Sequence, residues 1–349
     1  MTTLALARRE RLAFALLALL ASSALLSLSL GAVPLSLGDI ARVMLGAIGL
    51  TPADTDPLHR AVVLEIRLPR LLLGAAVGAA LGTSGALMQG LFKNPLADPG
   101  LIGVSSGAVL GATSLIVLGS LVGLSAERSL WPLPLAAFGG ALGVTLLVWR
   151  LSQSGKRTDV RTLLLAGIAI NAIVGAVVGV LVLVASDAQL RSIQFWSLGS
   201  LGGASYAQLA IALPLLALAL APIPWLTRPL NVMLLGEHEA RCLGVDVERT
   251  KRLAVLASCL GVGVGVALTG TIGFIGLVAP HLVRLIGGPD HRRVVPGAAL
   301  LGACLVVLSD LGARTLVQPA EVPIGIVTAA LGAPFFLWLL KRRALEVSS

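Results

Sequence analysis

The sequence predicts an all-α, polytopic membrane protein, and three observations predict it. Only 12% of its 349 residues are charged, about half the share of a soluble domain, and mean hydropathy is +0.95. The apolar residues, 56% of the chain, gather in runs close to the roughly 20 residues that cross a bilayer as a helix. Lys and Arg concentrate in alternate breaks between those runs, as the positive-inside rule requires of a multi-span chain. The whole of residues 1–349 reads as one transmembrane domain.

Ten spans follow, at about 12–33, 62–91, 99–121, 132–150, 161–184, 206–226, 252–270, 272–287, 295–313 and 323–341. The first begins after Arg8, Arg9 and Arg11. A secretory signal shares such a start, but its apolar core is usually 7–15 residues. The run Leu12–Leu30 is longer and reads as a span. The second span opens on Ile66-Arg67-Leu68-Pro69-Arg70, where Pro69 suits a first helical turn. Asn94-Pro95-Leu96-Ala97-Asp98-Pro99 makes the next reversal, with Asp98 as N-cap and Pro99 as first residue of span three. Gly270-Thr271-Ile272-Gly273 is the weakest break, so spans seven and eight are the pair most exposed to misjoining.

With both termini placed in the cytoplasm, the inner segments hold Arg8, Arg9, Arg11, Lys93, Arg150, Lys156, Arg157, Arg161, Arg228, Arg241, Arg249, Lys251, Arg252, Arg284, Arg292, Arg293, Lys341, Arg342 and Arg343. The outer segments hold Arg42, Arg60, Arg67, Arg70, Arg128, Arg191 and Arg314. This asymmetry absorbs the net charge of +9 without a nucleic-acid patch. Trp149, Trp225 and Trp338 fall near inner span ends, Trp131 near an outer end, and Trp196 in an outer loop. Glycines four apart (Gly74/Gly78/Gly82, Gly103/Gly107/Gly111, Gly139/Gly143, Gly175/Gly179 and Gly261/Gly265) let helix backbones approach. Together they imply a dense bundle with little room for a wide permanent pore.

The chemistry the chain lacks narrows its function. There is no GxxxxGK[ST] phosphate loop, HExxH or catalytic carboxylate pair. Cys242, Cys259 and Cys304 have no metal or disulfide spacing, and the four histidines are scattered, His281 being the most embedded. Acids inside spans are few, Asp310 and Glu65 lying near outer ends, whereas ion-coupled transporters keep acids near mid-membrane. Uphill transport would therefore draw its energy from a partner. The polar island from Arg228 to Arg252 is the place to meet one. At its centre, Gly236-Glu237-His238-Glu239-Ala240-Arg241-Cys242-Leu243-Gly244 reads as a helix of about two turns with an acid-first i,i+4 pair and a glycine stop. A helix so short is marginal alone in water and calls for a docking partner. Arg67 and Arg70 share one helix face at the outer side, with Arg314 as a third cation there. They read either as interfacial lipid contacts or as cations offered to an acidic partner.

Several of these stretches resemble the FecCD-type permeases of bacterial importers for iron-siderophores, haem and vitamin B12. They are LEIRLPR (64–70), SGALMQG (84–90), NPLADPGLIGVSSG (94–107), LGEHEARCLG (235–244), GFIGLVAPH (273–281), DHR (290–292) and EVPIG (321–325). The resemblance runs from about Leu64 to Leu340 and implies ten helices per subunit, a homodimer in the inner membrane, two cytoplasmic ATPase subunits and a periplasmic binding protein. ATP and magnesium would sit on the ATPase, and this chain would hold no resident cofactor, no metal and no catalytic residue. It also implies roles. Gly236, Glu237, Ala240, Arg241, Leu243 and Gly244 would contact the ATPase. Arg67, Arg70 and Arg314 would meet glutamates of the binding protein. Asn94 and Leu96 would form a cytoplasmic gate, with Thr158 and Asp159 near a second. NPLADPGLIGVSSG is similar to haem importers, which makes haem the favoured cargo, with ferric siderophore a close second and vitamin B12 third. The chain departs in its scarcity of aromatics, Tyr206 being its only tyrosine. The competing reading from another class is a secondary transporter working alone.

Overall fold

A computed structural model describes residues 3–50, 56–119, 123, 131–155 and 157–347. Arg128, Lys156 and residues 120–121 of the third predicted span lie outside the described residues. In chain order the elements are α1 (Thr3–Ser29), α2 (Leu37–Ala47), α3 (Pro57–Ala61), a π-helical turn (Val62–Arg67), α4 (Leu68–Leu91), a 3-10 turn (Pro99–Ile102), α5 (Val104–Leu118) and α6 (Pro132–Leu151). The hairpin β1 (Gln153–Ser154) and β2 (Arg157–Thr158) follows, paired antiparallel as Gln153↔Thr158 and Ser154↔Arg157. Then come α7 (Val160–Leu183), α8 (Asp187–Leu198), α9 (Tyr206–Leu220), α10 (Ile223–Met233), α11 (Glu237–Cys242), α12 (Val247–Thr269), α13 (Ile275–Gly287), α14 (His291–Thr315) and α15 (Ile324–Val347).

Each of the ten predicted spans has a helix. Among the described residues, seven stretches are long and apolar enough to cross a membrane: Arg11–Ser29, Pro57–Leu91, Pro132–Leu151, Val160–Leu183, Tyr206–Met233, Val247–Thr269 and His291–Thr315. Val104–Leu118, Ile275–Gly287 and Ile324–Leu339 are apolar but shorter. At ~1.5 Å per residue, α13 reaches only about 20 Å. The weak break between spans seven and eight is real: α12 ends at Thr269, and residues 270–274 are non-helical before α13.

Four expectations change. Span two extends back to Pro57, although Pro69 does fall in the first turn of α4. The π-helical turn immediately before it re-spaces the backbone bonds, with Leu68 N donating to Val63 O, which accommodates a ring that cannot donate. Asp98 does cap Pro99, but only a 3-10 turn; α5 starts at Val104 after Gly103 in a left-handed conformation. Trp196 belongs to α8, partly buried against the core, and not to a loop. Finally, α2 and α8 are helices within segments read as connections.

The centre of the bundle is α4, which packs on α14, α12, α13 and α9. In its most apolar stretch 78% of residues are buried, against 72% for α12, 67% for α14 and only 11% for α7. Glycine makes this density possible. A Cβ on Gly82 would stand 2.0 Å from Ala298 O, and one on Gly85 would stand 1.7 Å from Gly276 O. α4 therefore touches α14 and α13 backbone to backbone. α5 and α6 meet the same way at Gly107 and Gly140. The Gly139/Gly143 and Gly175/Gly179 ladders instead face open space within this chain. α1 is seated on α13 and α14 through Leu16, Ala279, Val283 and Leu301.

Candidate functional site

Two polar clusters stand apart in the structure, one joining α11, α12 and Thr158 and the other at the start of α4.

The first is built around α11. Gly236 precedes it at φ +140°, a backbone conformation that residues with a Cβ rarely adopt. Gly244 closes the segment at φ +79°, with Val245 N donating to Ala240 O, which anchors the buried Ala240. The i,i+4 pair read from the sequence is present: Arg241 Nη2 stands 3.3 Å from Glu237 and 3.2 Å from Glu248 of α12. Sequence reading missed the centre of the cluster. Lys251, 1% exposed, donates to Glu237 Oε2 at 2.8 Å and to Thr158 O at 2.6 Å, with Glu248 at 3.5 Å. Glu248 Oε2 in turn accepts from Thr158 N at 2.8 Å. The Glu248/Lys251 pair, three apart on α12, thus holds both backbone groups of Thr158 and also α11. A buried ammonium is tolerated only when paired and hydrogen-bonded, and three acceptors surround this one. The available sequence signal was Glu248-x-x-Lys251 at helical spacing beside an apolar run, which reads equally as a solvated face.

Asp159, next to Thr158, caps α7. Hydrogen bonds from Thr162 Oγ1 and Arg161 N hold its carboxyl below the ordinary carboxylate value. Asn94 and Leu96 sit on a separate loop after α4, where Asn94 Oδ1 accepts from Leu96 N at 3.0 Å. Among the described residues, neither has a side-chain bond to the α11 cluster. Near this loop, a cavity of about 450 Å³ opens between the 3-10 turn and the start of α13, lined by Asp98, Ser105, Ser106 and Phe274. Burial pushes the Asp98 carboxyl up, against the Gly100 N–H bond that lowers it.

The second cluster gathers Arg67, Arg70 and Arg314 as the sequence suggested, but engages them internally. Arg67, 4% exposed, donates to the Leu28 and Ser29 carbonyls at the end of α1 and to the Val33 carbonyl just beyond it. Arg70 Nε and Nη2 bind Asp310 at 2.8–2.9 Å, while Nη1 binds Glu321 at 2.9 Å and 3.0 Å. Arg314 donates to Ser27 and lies 3.8 Å from Asp310. Asp310, taken above as a peripheral acid, is the hub that both cations share. Glu321 is the outer member, its side chain 49% exposed.

A bundle of apolar helices packed glycine to glycine, with a short charged helix at one end and buried arginines at the other, defines a multi-pass membrane transport subunit. The chain belongs to the FecCD transport family, whose model matches residues 18–342. It is similar to the hemin transport system permease protein HmuU of Yersinia pestis, 49% identical over 80% of this chain and 83% of that protein. It is also similar to the vitamin B12 import system permease protein BtuC of an Escherichia coli strain, 43% identical over 84% of this chain and 88% of that one. The solved inward-facing structure of a metal-chelate-type ABC transporter matches with a TM-score of 0.81 at 33% identity, covering 94% of this chain and 98% of that chain. The chain is therefore a multi-pass inner-membrane permease of the ABC-importer type.

Proposed function

We propose that this permease carries haem inward as a homodimer, driven by ATP and magnesium on two ATPase subunits and fed by an external binding protein. The observation that carries the haem reading is the 49% identity to a hemin permease, against 43% to a vitamin B12 permease of similar coverage.

The α11 cluster is the coupling site. Leu234, Leu235 and Leu243 are exposed around its charges, an apolar patch on a polar end of the kind that marks a protein interface. Displacing α11 must either break Lys251 from Glu237 or move Lys251, which also holds Thr158 O. In this way a push from the ATPase reaches the loop of the second gate. The arginine cluster is the docking site for the binding protein: an incoming carboxylate replaces the half-exposed Glu321 on Arg70, while Asp310 keeps Arg70 in place. The exposed face of α7, with Leu165, Ile173 and Val180 outward and Gly175 and Gly179 open, is where the second copy packs.

The test is uptake into proteoliposomes holding this chain, its ATPase and its binding protein. ATP-dependent accumulation of haem, with ferric siderophore and vitamin B12 failing to compete, is the expected result. Preferential uptake of vitamin B12 would transfer the proposal to that cargo. Flux driven by an ion gradient through this chain alone would replace the importer reading with a secondary transporter.

A further inference from the structure

One recess of the molecule borders the coupling segment through Leu243 and Gly244, but its two arginines have no role in coupling, gating or docking as described above. It lies between α10 and α12 beside the loop that follows α11, with a cavity volume of about 600 Å³. Arg228 and Arg249 line it, together with Trp225 and the N-cap carboxylate of Asp246. Asp246 is engaged with the backbone, accepting from Arg249 N at 2.9 Å. Among the described residues neither guanidinium has an ion-pair partner, although both are exposed at the end of a membrane bundle. Trp225, 71% exposed, is the kind of side chain that settles at the headgroup level.

The recess continues into a second one that shares Trp225, Arg249 and Leu253. This extension, about 390 Å³, is walled by Leu218, Pro222, Leu256 and Leu260. It runs from the first turns of α12 inward, and from Leu253 to Leu260 the helix rises about 10 Å. A two-cation pocket at the bundle end thus opens into an apolar slot directed towards the membrane interior. That sequence of chemistries, anion site outside and hydrocarbon site inside, matches one molecule class.

We propose that the α10/α12 groove binds an anionic phospholipid, with its phosphate between Arg228 and Arg249, its glycerol region against Trp225, and one acyl chain along Leu218, Leu256 and Leu260. Charge complementarity selects the headgroup: two cations face one carboxylate that is already satisfied as a helix cap. A basic pocket between transmembrane helices is suited to anionic headgroups for this reason. A lipid seated there bridges α10 to the first turn of α12, and Leu243, Gly244 and Val245 of the α11 connection form part of the same wall.

The test uses the full chain in phosphatidylcholine nanodiscs, titrated with phosphatidylglycerol or phosphatidylcholine carrying brominated acyl chains, which quench nearby tryptophan. The Trp225 contribution is the difference between the chain and its Trp225→Phe variant, the other four tryptophans serving as internal control. Brominated phosphatidylglycerol should quench Trp225 at lower mole fraction than brominated phosphatidylcholine. Arg228→Gln with Arg249→Gln should erase that preference, each change weakening it roughly five-fold, while Arg228→Lys with Arg249→Lys should keep most of it. Equal quenching by the two lipids overturns the proposal, as does an undiminished preference in the glutamine variant. Displacement by inorganic phosphate assigns the pocket to a free anion and overturns it too. No quenching by either lipid means that protein covers Trp225, which also removes the lipid.

Discussion

Lys251 heads the wholly buried large side chains, and its burial makes a sharp prediction. Lys251→Met removes the cation shared by Glu237, Glu248 and Thr158 O. Breaking a buried pair from one side costs about 3 kcal/mol or more, so the melting temperature should fall. In the reconstituted complex, haem uptake should drop at least roughly ten-fold while ATP hydrolysis continues, because the ATPase still docks on α11. If hydrolysis falls in step with uptake, Lys251 is a structural residue only. Asp310 supports a parallel experiment. Asp310→Asn leaves Arg70 with only the half-exposed Glu321 as counter-charge and should destabilise by about 3 kcal/mol, whereas Arg70→Met with Asp310→Leu should recover much of that loss in thermal unfolding. Asp290 gives the pH case. Burial raises its carboxyl pKa, but bonds from Arg292 N and Asn231 Nδ2, with Arg292 and Arg293 nearby, outweigh it and leave the pKa below the ordinary value. A depressed acid stabilises the fold above its unfolded pKa of about 3.9 and loses that contribution as pH falls through its folded value. The α14 cap should therefore loosen below about pH 4, and Asp290→Asn should flatten that part of the stability profile.

Helix by helix, equal sequence spacing conceals unequal roles. Gly82 and Gly85 stand in backbone contact with α14 and α13, whereas Gly139 and Gly143 on α6 meet nothing within 4 Å in this chain. Gly85→Ala should therefore force α4 from α13 at a cost of about 3 kcal/mol, the upper range of overpacking. Gly139→Ala should instead stabilise by up to about 1 kcal/mol through helix propensity. Thermal unfolding of the two variants side by side decides the matter: similar losses would contradict the packing. The ladder pattern could not separate them, because spacing tells which residues share a helix face but not what lies opposite. The missed α2 and α8 were announced by capping boxes, Ser36 with Asp39 and Ser186 with Gln189. Their short length and mixed polarity hid them between much stronger apolar runs.

Across the molecule, the α11 cluster and the arginine cluster are separate and share no residue. Deleting Gly236 to Val245 should abolish ATP-driven uptake; survival of transport would remove the coupling role from α11. At the arginine cluster, Glu321→Gln should strengthen docking of an acidic binding protein, since it frees Arg70 Nη1 without disturbing Asp310. Arg70→Glu should abolish docking at any salt, because the arginine is buried and screening over about 8 Å at physiological ionic strength acts chiefly on exposed charges. Binding measured at two salt concentrations checks both; a Glu321→Gln affinity equal to wild type would count against carboxylate exchange.

The sequence alone determined the class, the approximate position of a helix in each predicted span, the polar island and the three arginines. Those features rest on local properties, namely apolar length, helical spacing and turn chemistry, which neighbouring residues carry by themselves. Only the tertiary structure decided that Lys251 joins Glu237 to Thr158, that Asp310 and Glu321 hold Arg70, and which glycine ladders are buried. Those pairings bring together residues far apart in the chain, 93 positions for Lys251 and Thr158 and 240 for Arg70 and Asp310. Burial then makes them matter, because a charge removed from water must find its partner wherever the fold puts one.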